Sequence, residues 1–274
     1  MTAICKDDSP ARPAAGAGQT RAIILAAGRG TRLKENTDDR PKCLVEVAGR
    51  PILSRMLDEL AGQGITDIVI AVGYRADDIR RHVAAHHPAM AVRFVENERY
   101  LATGSVFSLA LALDDEAPAD EVPGRDLLIV EGDVVLEPGL CGSVLRHADT
   151  PFGAATLLAP YEPALSGTFA LVEDGRVVAW THESRRGPDF PLTRSYKTVN
   201  ITLVKRGPPA RRLRDAILAT IGACGVSAPL EYAMHSLVED GLRIAAVPVD
   251  GARWYEVDTP DELSIANGLF AATR

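Results

Sequence analysis

The stretch LAAGRGTRL, residues 25–33, follows an apolar run and leads on to Pro41-Lys42. Gly28 and Gly30 carry no Cβ and can take positive φ, so a loop here can turn consecutive backbone N–H groups onto anionic oxygens. Leu25, Ala26, Ala27, Gly28, Arg29, Gly30 and Thr31 are therefore candidate nucleotide-binding residues. Arg29, Arg32 and Lys42 add positive charge around the same loop. Arg can fork onto two phosphate oxygens, and Lys acts as a point charge. Two better-known phosphate loops do not fit: the dinucleotide fingerprint needs Gly where Leu33 stands, and the P-loop needs a Gly-Lys-Ser/Thr that is absent. An isolated Gly-x-Gly is equally well a simple strand-to-loop turn. The arginines, the Pro-Lys pair and the acids further along the chain favour the phosphate reading.

Working outward, short β-branched runs at 22–27, 67–73, 92–95 and 127–131 read as strands buried on both faces. Stretches of helical spacing at 52–63, 76–86 and 104–113 lie between them. This alternation predicts an α/β fold: a Rossmann-like, mostly parallel sheet with helices on both faces. After about residue 151 the pattern changes to strands at 153–159, 168–172 and 176–181 without helices, with Asp174-Gly175 as a hairpin signal. A small antiparallel β insertion at about 151–205, laid against the parallel sheet, is expected. A strand at 198–204, helices at 211–221 and 230–239, and a strand at 244–248 follow. Thr259 then caps a last helix that opens with Pro260, Asp261 and Glu262. Residues 1–20 read as a flexible leader and 21–270 as a single domain.

The 274 residues are 46% hydrophobic and 24% charged, the composition of an ordinary globular protein. A net charge of −7 argues against a nucleic acid partner, because phosphate-backbone binding draws on clustered Lys and Arg. Cys5, Cys43, Cys141 and Cys224 form no Cys-x-x-Cys pair, which disfavours a zinc ribbon or a disulfide framework. No apolar run approaches the ~20 residues needed to span a bilayer. A cytoplasmic protein without a membrane partner is expected.

LAAGRGTR, followed by PKCLVEVAGRPIL (41–53), IVIAVGY (68–74), ENERYLATGSVFSLALAL (96–113), EGDVVL (131–136), KTVNI (197–201) and WYEVDTPDEL (254–263), resembles the nucleotidyltransferases that make sugar nucleotides and CDP-alcohols. Within that superfamily it is most similar to the cytidylyltransferases acting on phosphocholine and on phosphonates such as 2-hydroxyethylphosphonate. The resemblance implies that Asp133 and Asp258 hold Mg²⁺, with Glu131 and Glu256 in supporting roles. Asp133 follows the run LLIV at a strand's C-terminal end, where ligands of open α/β sheets bind. Lys42, with Arg32, is the expected catalytic group, steadying the α-phosphate as charge builds. A phosphate or phosphonate acceptor brings its own anionic oxygen, so no protein nucleophile is needed, and His82, His86 and His87 receive no catalytic role.

The same resemblance places the base against Gly73, Tyr74, Gly104 and Ser105. Here the chain departs from the family, which often has Asn near the positions of Thr103, Gly104 and Ser105. Lys197, Arg194 and Glu231 are the acceptor-binding candidates. The expected reaction is transfer of CMP from CTP to a small anionic phosphonate or phosphate acceptor, with release of pyrophosphate. Two alternatives stand beside it: a sugar-1-phosphate nucleotidyltransferase using UTP or dTTP, and a non-catalytic nucleotide or sugar-nucleotide sensor. The reading is compatible with a homodimer.

Overall fold

A computed structural model describes residues 20–114 and 124–271 of the chain. The expected leader thus lies, apart from Thr20, outside the described residues. The first half runs β1 (Thr20–Ala26), β2 (Glu46–Val47), β3 (Arg50–Pro51), α1 (Ile52–Gly62), β4 (Asp67–Val72), α2 (Ala76–His86), β5 (Val92–Glu96), α3 (Ser105–Asp114), β6 (Asp126–Glu131), β7 (Val134–Leu136) and α4 (Leu140–Leu145). The second runs β8 (Ala154–Pro160), β9 (Phe169–Glu173), β10 (Arg176–Thr181), β11 (Tyr196–Val204), α5 (Pro208–Cys224), α6 (Leu230–Glu239), β12 (Ile244–Pro248), β13 (Trp254–Glu256) and α7 (Pro260–Phe270).

One nine-stranded sheet, ordered β5-β4-β1-β6-β11-β8-β12-β10-β9, divides the core in two. Successive strand residues point to opposite faces. Ala22, Ile24, Ile68, Ile70, Leu128 and Val130 accordingly pack with α1, α2 and α4 on one side. Ile23, Val69, Leu127 and Ile129 pack with α3, α5 and α6 on the other. β5, β4, β1 and β6 are parallel, and β1 takes β4 on one edge and β6 on the other in unbroken register. A third cluster joins Leu33, Val45, Val47, Ile52, Val135, Val257 and Ala266, tying the segment after the glycine loop to α7. Each fully buried Leu, Ile or Val in it contributes about 1.5–3 kcal/mol.

Two expectations need correction. The strand at 92–95 is not buried on both faces: β5 is the sheet's edge strand and is half-exposed. The antiparallel insertion is not a separate layer either. β11 pairs antiparallel with β6, β8 continues the sheet from β11, and the β9–β10 hairpin closes back onto the start of β11 through Phe169 and Ala170. The hairpin itself is as the sequence implies, with Asp174 and Gly175 both at positive φ, 48° and 71°. Short β7, β13 and α4 had no expectation in the sequence, since three to six residues are too few to show a period. No described helix is long and apolar enough to cross a membrane.

The start of α3 meets the start of α6 with almost no gap. Gly104 N–H donates to Val226 O, and the Leu230 N–H at the mouth of α6 donates to Ser105 Oγ at 2.8 Å. A Cβ at Gly104 would lie 2.2 Å from Ala228 O and 2.6 Å from Ser227 O, both backbone atoms that cannot swing aside. Gly104→Ala should therefore lower the urea midpoint clearly, with an expected cost of about 1–3 kcal/mol from overpacking. Gly268→Ala is the control, because that exposed glycine of α7 has nothing within 4 Å of a built Cβ. Removing a helical glycine there should leave stability unchanged or raise it by about 0.4–1 kcal/mol.

Candidate active site

The C-terminal ends of β1 and β6 open into a cleft of about 440 Å³. Leu25 to Gly28, Gly30, Thr31 and Arg32 line one wall, with Lys42 beside them. Gly30 sits at φ 69°, and a Cβ on it would come within 2.9 Å of Lys42 Cβ, so glycine at this position lets the lysine pass. The left-handed turn is held by Leu33 N–H and Thr37 Oγ1, both donating to Gly30 O. Gly28 does not use its freedom to take positive φ, and a Cβ there would meet nothing within 4 Å.

Asp133 follows β6 by two residues and Asp258 follows β13 by two. They meet because β13 pairs antiparallel with β7 and Val257 N–H donates to Asp133 O at 3.0 Å. A capping box seats Asp258 at the head of α7: Thr259 Oγ1 accepts from Glu262 N–H while Glu262 Oε2 accepts from Asp258 N–H. Lys42 Nζ donates to Asp133 Oδ2 at 2.5 Å and also to Asp258 Oδ1, and Arg32 reaches the same Asp258 oxygen at 2.9 Å. Burial disfavours the Lys42 charge, yet the two aspartates outweigh it and raise its pKa. Burial likewise works against the Asp258 anion, and Lys42 and Arg32 still hold its carboxyl below the ordinary value. Cys43, packed behind Lys42, has its thiol pushed up to about 12 by burial and is not a nucleophile.

Deeper in the cleft, oxygens of Glu131, Asp133 and Glu256 lie within 4.8 Å of one another. Asp133 Oδ1 is buried and has no hydrogen-bond partner. Burial, reinforced by neighbouring acids, raises the pKa of both Glu131 and Glu256. An all-oxygen set with one unpartnered carboxylate oxygen fits a hard divalent cation. The carboxylates most tightly grouped are thus Glu131, Asp133 and Glu256, while Asp258 is engaged by Lys42 and Arg32. Lys197, buried in β11, donates to Glu256 at 2.8 Å and to its neighbour's carbonyl, Thr198 O, at 2.8 Å. Glu231, in the first turn of α6, faces the same end, and burial, with the Glu256 charge behind it, pushes its carboxyl up to about 7.

Not every sequence candidate reaches the cleft. Arg29 lies over the Tyr74 ring, 5.5 Å from its centroid, and Tyr74 bonds Thr37 O and Asp38 O through its hydroxyl. Tyr74 N–H also donates to Ala27 O, so Gly73 and Tyr74 buttress the glycine loop from behind and do not line the cleft. Arg194 is exposed and outside the lining. Gly104 and Ser105 do line it, although the Ser105 oxygen already accepts from Leu230 N–H. Two lining residues are not among the sequence candidates: Asn97, whose buried amide bonds Thr103 and Ser108, and Asn200, whose amide bonds Glu131 and Glu256. The one available signal for Asn200 was an asparagine inside an apolar strand, where that residue is disfavoured.

Residues 22–187 match the MobA-like NTP transferase domain family. A CMP-5'-(3-aminopropyl)phosphonate synthase of Streptomyces rubellomurinus is 30% identical over 257 residues, covering 93% of this chain, which spans 39% of the synthase's length. A UTP–glucose-1-phosphate uridylyltransferase of Haloferax volcanii is 28% identical over 245 residues, covering 85% of this chain and 89% of that enzyme. The solved CTP:phosphocholine cytidylyltransferase of Streptococcus pneumoniae shares the fold, with a TM-score of 0.70 at 21% identity, over 91% of this chain and 98% of that one. The family match takes in the glycine loop, Lys42 and Asp133, and the chain belongs to the MobA-like NTP transferase domain family.

Proposed function

We propose that the chain transfers CMP from CTP to a small phosphonate or phosphate monoester and releases pyrophosphate. The observation that carries this reading is a cleft in which two lysines serve one carboxylate cluster: Lys42 on Asp133, beside the glycine loop, and Lys197 on Glu256, beside the β9–β10 hairpin. The first suits a triphosphate and the second a separate anionic acceptor. The preference for cytidine and for a phosphonate rests on likeness to the CMP-phosphonate synthase along 93% of the chain. The uridylyltransferase relative supports a second reading, transfer of UMP to a sugar 1-phosphate.

In the proposed reaction an anionic acceptor oxygen attacks the α-phosphorus in line, an O–P bond forms, and the bond to the bridging β-phosphate oxygen breaks. The leaving pyrophosphate takes the electron pair, and no protein base is required. Gly28 to Thr31 receive the triphosphate, Lys42 neutralises charge that builds on the α-phosphate, and Lys197 orients the acceptor anion. Mg²⁺ held by Asp133, with Glu131, Glu256 or Asp258 completing the set, would supply further charge neutralisation. Pyrophosphate release from four nucleoside triphosphates, each offered phosphonates, phosphocholine and sugar 1-phosphates, tests the assignment. CTP with a phosphonate or phosphate monoester should be the most active pair, and a preference for UTP or dTTP with a sugar 1-phosphate would replace it with the second reading.

Lys42→Ala should reduce kcat by at least ~10²-fold while nucleotide affinity changes less, the pattern of a contact that strengthens in the transition state. Single-turnover kinetics check this, and a wild-type chemical step would remove Lys42 from the catalytic set.

Glu231 generates a pH prediction. Its folded pKa of about 7 lies above the ordinary 4.5, so the folded chain holds an extra proton between those values. The stability this confers is complete below about 4.5 and is lost as pH rises through about 7. Glu231→Gln keeps the shape and removes the titration. Its melting temperature should exceed wild type at pH 8, and the difference should vanish toward pH 4.5. An equal difference at both pH values would show that Glu231 is not held in its neutral form.

A further inference from the structure

We propose that Asn200 is a positioning residue that sets the spacing of the carboxylate cluster, and with it the cluster's affinity for a divalent cation. The inference rests on the metal-dependent reading of the site. Asn200 interrupts β11: its φ is 60°, and the pairing of β11 with β8 shifts register between Thr198 and Thr202. A non-glycine residue in the left-handed region inside a strand is unfavourable and persists where its surroundings over-determine it. What the turn accomplishes is visible in the side chain. Asn200 Nδ2 donates to Glu131 Oε2 and to Glu256 Oε1, each at 3.1 Å.

The two amide hydrogens are thereby shared between two carboxylates from different strands, β6 and β13. The other end of the amide is fixed as well, because Asn200 Oδ1 accepts from Thr198 Oγ1 at 2.9 Å. Thr198 is wholly buried, and its hydroxyl also lies 3.2 Å from Thr168 O. This arrangement sets the amide's direction, with its nitrogen toward the acids. Left alone, two carboxylates at such range would repel and spread whenever both are ionised, the form in which they would bind a cation. A neutral double donor holds them together without neutralising either, leaving Glu131 Oε1 to act with Asp133 while Glu256 Oε2 meets Lys197. Lys197 also bonds Glu256 but makes no bond to Glu131, so Asn200 is the side chain among the described residues seen to bond both glutamates.

Mn²⁺ titration of the full chain without nucleotide, followed by electron paramagnetic resonance of the free ion, tests the proposal on wild type, Asn200→Gly and Thr198→Val. Glycine keeps the left-handed backbone and deletes only the amide. Asn200→Gly should weaken Mn²⁺ binding by about 10–100-fold, the range for partners that orient metal ligands, with its melting temperature close to wild type. Thr198→Val, which frees the amide to turn, should weaken it several-fold. Wild-type Mn²⁺ affinity in Asn200→Gly overturns the proposal and leaves the metal site standing. If Asn200→Gly does not fold, Thr198→Val decides: weaker binding supports the proposal and unchanged binding overturns it. Absence of Mn²⁺ binding in the wild-type chain overturns the proposal, and turnover that does not depend on any divalent cation would overturn the metal-dependent reading on which it rests.

Discussion

The ammonium of Lys42 between Asp133 and Asp258 is the contact on which the site depends, because it joins segments 91 and 216 residues apart in the chain. All three side chains are largely buried, at 14%, 16% and 13% exposure. A buried ion pair is weak evidence for stability as such, but removing one partner strands the other and typically costs about 3–5 kcal/mol. The triad therefore enforces geometry: the glycine loop, the end of β6 and the head of α7 must arrive together or leave charges unpaired. Each arrives by its own local device, the left-handed Gly30, the β7–β13 pairing and the Thr259–Glu262 capping box.

Charge around this triad is unbalanced. Glu131, Asp133, Glu183, Glu231, Glu256 and Asp258 line the cleft against the fixed cations Arg32, Lys42 and Lys197. The raised pKa values of Glu131, Glu231 and Glu256 are the consequence, since burial and mutual repulsion both oppose ionisation. Such an excess of acid is unfavourable for an anionic substrate alone. It becomes favourable when the anion arrives with a divalent cation, which is the form in which nucleoside triphosphates are commonly bound.

The parts of this arrangement legible in the sequence are those with a local signature. Apolar runs marked β1, β4 and β6, 3.6-residue spacing marked α1, α2 and α6, and Asp174-Gly175 marked the β9–β10 turn. Asp133 and Asp258 could be paired from their matching positions after apolar runs, with family resemblance behind them. What stayed hidden depends on long-range pairing. Three-residue β13 finds β7 across more than a hundred residues, and nothing local announces it. Gly73 and Tyr74 carry a family motif, yet the direction in which the Tyr74 ring turns, under the loop and against Arg29, is decided by packing. Asn200 was hidden for the same reason, because its conformation follows from β11 being claimed by β6 on one stretch and by β9 on another.

That fork in β11 also separates two jobs. Its C-terminal half, Ile201 to Val204, lies in register against β6, so it is bound to the rigid parallel core that carries Asp133. Its N-terminal half, with Lys197, keeps β8 on one side but takes β9, of the hairpin that borders the far end of the cleft, in place of β6. The break between the halves falls at Asn200, whose amide reaches back to Glu131 and Glu256. On the proposed function, changes in the hairpin or in residues 182–183 would reshape the acceptor end without shifting the segments that carry Lys42, Asp133 and Asp258. On the same proposed function, a fold built this way would keep one transfer chemistry while its acceptor varies, because the hairpin meets the sheet through the bulged half of β11 and through β12, and not through β1 or β6, whose ends carry the glycine loop and Asp133.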